Sequence, residues 1–491
     1  MIALAFDKGR AHRVLVLPAW FDEGNKLRHF TAEVMRRLDG SGIDSFLPDL
    51  PGCNESLAPL EQETLESWRA AAAEAARHFA ATHVLAIRAG AMIAPDALPG
   101  WRYAPLAAAS QLRALLRARV LSAREAGREE NREPLLAEGR ARGLDLGGYR
   151  LGATMIADLA EGELAPAPGQ RDIAQGDLGG PGLWLRAEPD HDSKQADALA
   201  AIIAMELLSA PSVRGELVEP RPTQDKREEA HSSRRHFAFD CAGSTLAATL
   251  DEAPGSTGLL LVTGGNETRA GAFSSQAQLA ARISAAGYPV LRFDRRGVGD
   301  SAGANLGFRH SGEDMAAALA AFHAQRPSLK RVVAFGNCDA ASALMLSGGA
   351  GFDGLVLSNP WTYEDGQADA PPPPAAIRAR YAAKLTNPRE LLRLLTGKVN
   401  LARLAHGLAS AAARKSTPST LAASMSAGLA RFTGPVRILV AERYRTGQAF
   451  LAGWEPRDPR LHRCQGADHA YSDAGSREWL QAQILAALAH E

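Results

Sequence analysis

The strongest constraint on the fold is a pattern that occurs twice. RVLVLPAWFDEGNK, from Arg13, and LLLVTGGNETRAG, from Leu259, each join an apolar strand to a polar loop carrying Gly and Asn, and a helical stretch follows each. A second strand then ends in an aspartate with a serine beyond it at the same spacing, Asp49 with Ser56 and Asp294 with Ser301. A third strand, turn and helix follow: VLAIRAGAMIA in the first copy, VVAFGNCDAASAL in the second. Strands of continuous Val, Leu, Ile and Phe separated by helices signify a parallel sheet covered on both faces. A chain of 491 residues exceeds one ordinary core. The expected architecture is therefore α/β, with two doubly wound domains in tandem over 1–208 and 237–491.

Between them, residues 209–236 read SAPSVRGELVEPRPTQDKREEAHSSRRH, rich in Pro, Ser and charge with no apolar period. Such a composition buries too little apolar surface to offset ordering, so a disordered linker is expected. SVRGELVEPR looks like a translated intergenic repeat, and the chain reads as two neighbouring proteins fused. In the second domain SNPW ends a strand, PPPP follows at 371–374, and AAIRARYAAKL, PRELLRLLT and LARLAHGLASAAARK read as helices. An insertion of that kind beyond the strand ends is expected to cap a pocket, over about 362–432.

Gly336, Asn337, Cys338, Asp339 and Ala340 form the turn of the second copy's third unit. Small residues flank its apex, an apolar strand precedes it and a small-residue helix start follows. This is the nucleophile elbow of α/β-hydrolases with cysteine in place of serine, and a thiolate is intrinsically nucleophilic. His469, in GADHAYSD between the last strand and the closing helix, stands where the general base of such a site belongs. The backbone N–H of Asp339 and a donor from the GGNET loop, Asn266, are the expected oxyanion hole. The acid should follow the strand PVRILVA, where Glu442 is the one carboxylate before Arg443, Tyr444 and Arg445; Asp458 is the reserve. Asp294 is read as organising its loop.

With these motifs in hand, the second half resembles the type 1 exosortase A system-associated hydrolases, on GNETRAG, RFDRRGVGDS, GNCDAASA, SNPW, GKVNL and GADHAYS. The first half is similar to the type 2 group, on FDEGNK and LPDLPGCNES. The resemblance implies a hydrolase encoded beside exopolysaccharide and PEP-CTERM protein-sorting genes in Gram-negative bacteria, with Cys338 as the elbow cysteine and His469 as its base. Tyr444 stands where the resemblance puts the acid. In the first half the elbow reads Ala86, Ile87, Arg88, Ala89, Gly90. An arginine cannot attack a carbonyl, so this half is expected to be inactive, with anion binding at Arg88 as an alternative and His191 as a loop residue.

Composition narrows the partners. Fifty-five basic and 55 acidic residues leave no surplus to neutralise a phosphate backbone, so nucleic acid is not expected. Four cysteines, Cys53, Cys241, Cys338 and Cys464, form no CxxC pair, so neither zinc nor a disulfide framework is expected and a reducing cytoplasm fits. Neither a secretory signal nor a run long enough to span a membrane is evident. The expected activity is hydrolysis of a small acyl, lipid or carbohydrate ester or thioester without metal or cofactor. The other reading is a non-catalytic protein that binds a carbohydrate or lipid intermediate.

Overall fold

The computed structural model describes residues 2–125, 128–209, 234–349, 351–363 and 420–490. In the first half the strands are β1 (Ala3–Phe6), β2 (Arg13–Leu17), β3 (Asp44–Pro48), β4 (His83–Ile87), β5 (Gly100–Tyr103), a hairpin of β6 (Leu144–Leu146) and β7 (Tyr149–Leu151), and β8 (Gln170–Ile173). In the second they are β9 (Arg234–Cys241), β10 (Ser244–Asp251), β11 (Thr257–Val262), β12 (Val290–Phe293), β13 (Arg331–Asn337), β14 (Gly354–Ser358), β15 (Val436–Ala441) and β16 (Leu461–Cys464).

The first sheet runs β1-β3-β2-β4-β5-β8 and the second β16-β15-β14-β13-β11-β12-β10-β9. In each, one strand lies antiparallel beside the unit that ends in the aspartate, β1 on β3 and β10 on β12, and the strands beyond are parallel. The two orders superimpose strand for strand, so both halves have the α/β-hydrolase-like architecture; β9 and β16 extend the second at its two edges. Continuous apolar strands put both sheet faces in the core: Val14 to Leu17 and Leu259 to Val262 are all fully buried.

Helices cover both faces. In the second half Ser275–Ala285 and Ala474–Leu488 pack on one side through Leu279, Ile283, Leu480 and Ile484. Gly312–Gln325 and the elbow helix Asp339–Leu346 pack on the other, through Met315, Phe322 and Leu344. Among the described residues no helix is long and apolar enough to cross a membrane.

Three expectations need revision. Arg234, Arg235 and His236 were assigned to the linker, but they begin β9, paired with Asp251, Leu250 and Thr249; the rest of the linker, 210–233, lies outside the described residues. Of the expected cap, 364–419 lies outside them too, and its last part is not cap. Helix Thr420–Leu429 buries Leu421, Met425 and Leu429 in the same core as the elbow helix. Finally, the first elbow is followed by a 3-10 turn, Arg88–Ile93, in place of a full α-helix; Pro95 follows, and the residue before a proline is disfavoured in helix.

The two halves meet through the loops that follow β3 and β12, and carboxylates at matching positions cross in both directions. Glu55 follows Asp49 at the spacing by which Asp300 follows Asp294. Each reaches across: Asp300 takes Nε of Arg28 at 2.6 Å and Nη2 at 3.1 Å, while Glu55 takes both Nη atoms of Arg292 at 2.8 Å. Arg28 also holds Asp49 of its own half at 2.8 Å, and Arg269 holds its own Asp294. Asp294 further accepts the backbone N–H of Asp300, so it organises the loop as expected. Glu55 and Arg292 are both 0% exposed. Charges so buried are tolerated only when fully paired, and salt screens them weakly. Cutting the chain within 210–233 should therefore leave two pieces that co-elute at the mass of the intact protein in size-exclusion chromatography. Separation of the pieces in ordinary buffer would contradict this interface.

Candidate functional site

The elbow is built by close approach. Strand β13 ends at Asn337, and Cys338 turns the chain with φ 61° and ψ −127° before the helix begins at Asp339. A positive φ at a non-glycine residue stores strain that the surroundings must hold. Here Cys338 N–H donates to Ser358 O at 2.9 Å and Trp361 N–H to Cys338 O at 3.3 Å. A Cβ on Gly336 would lie 2.8 Å from the carbonyl carbon of Ala340, and one on Gly264 would lie 2.4 Å from Asn337 O. Those glycines let the helix and the GGN loop press against the turn.

The GGN loop is pinned to the elbow. Gly265 N–H donates to Asp339 Oδ1 at 2.9 Å, and the other carboxylate oxygen lies 3.7 Å from Nη2 of Arg295. Asn266 sits in the left-handed region at φ 57°, its amide donating to Pro189 O of the first half at 3.4 Å and accepting from Asn305 at 2.9 Å. Asp339 adjoins the thiol and its carboxylate holds the loop that carries Asn266.

His469 reaches the elbow through its backbone. Its carbonyl accepts from Nδ2 of Asn337 at 3.3 Å and of Asn359 at 3.4 Å, while Oδ1 of Asn359 accepts Ala441 N–H at 2.8 Å. Asn359, itself at φ 45°, ties the ends of β14 and β15 to the histidine loop. The ring of Tyr444 lies over the imidazole, centroids 4.6 Å apart. Among the described residues Nδ1 of His469 has no hydrogen-bond partner, and no hydrogen bond joins the imidazole to the thiol.

The structure does not bring Glu442 to His469. Its carboxylate faces Arg463 on the neighbouring β16 at 3.6 Å, because the chain turns at Tyr444 into helix Arg445–Gly453 and leaves Glu442 on the strand end. Asp458 is elsewhere, accepting from Trp454 at 3.0 Å and from Arg460 at 2.7 Å, which holds it down at about 2. Asp468 is the charge that acts on His469, and it accepts from Ser472. Burial pulls the imidazole down to about 4. The thiol is pushed well above its ordinary value, first by burial and then by Asp339, with Glu188 and Glu267 adding to it. At neutral pH the pair is thiol and neutral imidazole.

In the first half the corresponding turn keeps its shape, Arg88 having φ 56°. Each nitrogen of its guanidinium has a partner: Glu23 takes Nε at 2.9 Å and Nη2 at 3.1 Å, Ala104 O takes Nη1 at 2.9 Å, and the Trp184 ring lies 4.0 Å away. That arrangement corrects the anion-site alternative, since the charge is already met by the Glu23 carboxylate. His191 lies in a loop as expected, edge-on to His29 at 4.9 Å where the halves meet.

Sequence reasoning missed Asn359, although SNPW had marked its strand end. Among the described residues no three His, Cys, Asp or Glu side chains are grouped to hold a metal.

Residues 257–433 match the model of the serine aminopeptidase S33 family. No curated protein matches the chain. Among solved structures, an esterase from Pyrococcus furiosus is similar at 15% identity over 52% of this chain and 90% of its own, with TM-score 0.34. An alpha-beta serine hydrolase homologue from Coxiella burnetii is similar at 15% identity over 53% of this chain and 100% of its own, with TM-score 0.33. A proline iminopeptidase from Mycobacterium smegmatis is similar at 16% identity, 52% and 97%, with TM-score 0.34.

Proposed function

We propose that the second half hydrolyses an ester or thioester by covalent catalysis at Cys338. The observation that carries this is the strained turn: φ 61° at Cys338, between the end of β13 and the start of the elbow helix, is the backbone geometry of a nucleophile elbow, with the GGN loop held to the next residue by Gly265 N–H on Asp339. Sγ attacks the acyl carbonyl as His469 takes the thiol proton, and the oxyanion is held by backbone N–H of Asp339 and by the loop of Asn266. The C–O or C–S bond then breaks, the leaving group takes the proton from His469, and water repeats the sequence on the acyl-enzyme. The first half, with Arg88 locked to Glu23, performs no such chemistry.

Glu442 was the expected acid, and the pairing with Arg463 favours a Cys338–His469 dyad. The polysaccharide and exosortase setting comes from the resemblance of the motifs, and a cytoplasmic location from the four unpaired, widely spaced cysteines; O-acyl esters of carbohydrates are the substrates the resemblance suggests. The binding-protein reading draws on the unpartnered Nδ1 of His469 and the raised thiol.

Alkylation by iodoacetamide, located by intact mass and peptide mapping, tests the choice. Because the thiol is raised, labelling at Cys338 should keep climbing with pH beyond the free-cysteine value of about 8.5. A dyad predicts that Glu442→Gln leaves the profile and kcat/KM unchanged, whereas His469→Ala lowers kcat/KM by about a hundredfold or more. A Cys338 that resists labelling at every pH in the folded protein favours the binding reading.

A further inference from the structure

A cavity of about 70 Å³ lies beyond the ends of β2 and β3 of the first half, and Thr268, Gly271, Phe273 and Ser274 of the second half close it. One water needs about 10–15 Å³ of such space, so the cavity has room for several non-hydrogen atoms. A run of rings along its wall joins the halves: Trp20 stands edge-on to Phe21, Phe21 to Tyr149 at 5.2 Å, and Tyr149 to Phe273 at 6.1 Å. The charges on the wall are met by one another. Arg28 bonds Asp49 at 2.8 Å and Asp300 at 2.6 Å, and Asp49 also takes Nδ2 of Asn54 at 2.9 Å. One buried donor is left over. Trp20 is 1% exposed, and its indole Nε1 is buried with no hydrogen-bond partner among the described residues. A donor in that position bears its full desolvation cost, and native structures keep few of them. Backbone strain gathers at the same wall, where Phe21, Asn54, Phe273 and Ser274 have φ of 55°, 50°, 44° and 59°.

We propose that this cavity is a second ligand site, which takes a small uncharged, largely apolar molecule whose carbonyl or ether oxygen accepts from Trp20 Nε1. The rings receive the carbon skeleton, and the single indole N–H fixes its orientation. An ion is disfavoured because Arg28 and Asp49 already neutralise each other. The site lies at the strand ends of the half whose elbow carries Arg88, so its occupant is bound and released without reaction.

The seven tryptophans of the full-length protein give seven indole N–H signals in a nitrogen–proton correlation spectrum, and Trp20→Phe assigns Trp20 by deleting one. Cyclohexanone should move that signal saturably at about millimolar concentration, whereas benzoate, similar in size but charged, should leave it in place. Trp20→Phe also keeps an aromatic wall while losing the donor. Followed by saturation transfer to the ligand, cyclohexanone should bind this variant about fivefold more weakly, and benzene, which has no oxygen to accept the bond, should lose nothing. A Trp20 signal that cyclohexanone does not move, or that benzoate moves as far, overturns the proposal. Equal weakening of cyclohexanone and benzene overturns the role of the indole N–H. Should the variant not fold, crystals of the wild-type protein soaked in cyclohexanone decide: its oxygen within about 3 Å of Trp20 Nε1 upholds the site, and a cavity without the ketone overturns it. Turnover at Cys338 enters none of these measurements, so failure of the covalent mechanism would leave them intact.

Discussion

Replacing Cys338 by alanine should lower ester or thioester hydrolysis by at least about a thousandfold, because the bond-forming atom is lost and the oxyanion donors alone retain only a small part of the acceleration. Stability should change little. Alanine keeps the Cβ, and the turn is held by the backbone bonds to Ser358 and Trp361 that the substitution leaves in place. The measurement is turnover of a p-nitrophenyl ester and of an acyl thioester, with thermal melting as the control for folding. Unchanged turnover in the alanine variant would remove the covalent mechanism.

A second large effect is expected far from the sulfur. Glu55→Ala should destabilise the protein by about 3–5 kcal/mol, since Arg292, 0% exposed, would keep its charge without the carboxylate that takes both Nη atoms. In thermal unfolding that corresponds to a drop on the order of 10 °C. The paired substitution Glu55→Met with Arg292→Met should recover most of it, because removing both ions removes the desolvation cost along with the attraction. Asp251, which also accepts from Arg292 at 3.2 Å, keeps Arg234 as its partner in that variant. A small loss in the single variant would mean that water reaches the interface.

The tandem layout was legible because continuous runs such as Val14 to Leu17 and Leu259 to Val262 leave a two-sided buried strand as the economical solution, and because the loop motifs repeat with them. The elbow at Cys338 was legible for a related reason: a strained turn needs small neighbours, and these show in sequence as Gly336 and Ala340. The clamp by Asn359 and the crossing of Glu55 to Arg292 were not. Both depend on which strand ends and which half are neighbours in space, and a single sequence carries no register for that. Glu442 failed as the acid for a local reason. Its place after the strand was read correctly, but the turn at Tyr444 directs the carboxylate to Arg463 instead of the histidine.

The locked elbow of the first half bears on its history. A nucleophile cannot return there through one codon change at position 88, because removing the guanidinium would strand Glu23, whose carboxylate now receives two of its hydrogen bonds, in a half-buried site facing the Trp184 ring that had stacked on the cation. A serine or cysteine at position 88 would therefore need a second replacement at position 23 to leave no carboxylate unpaired. The two positions are coupled, so a change at one is expected to be tolerated only with a change at the other.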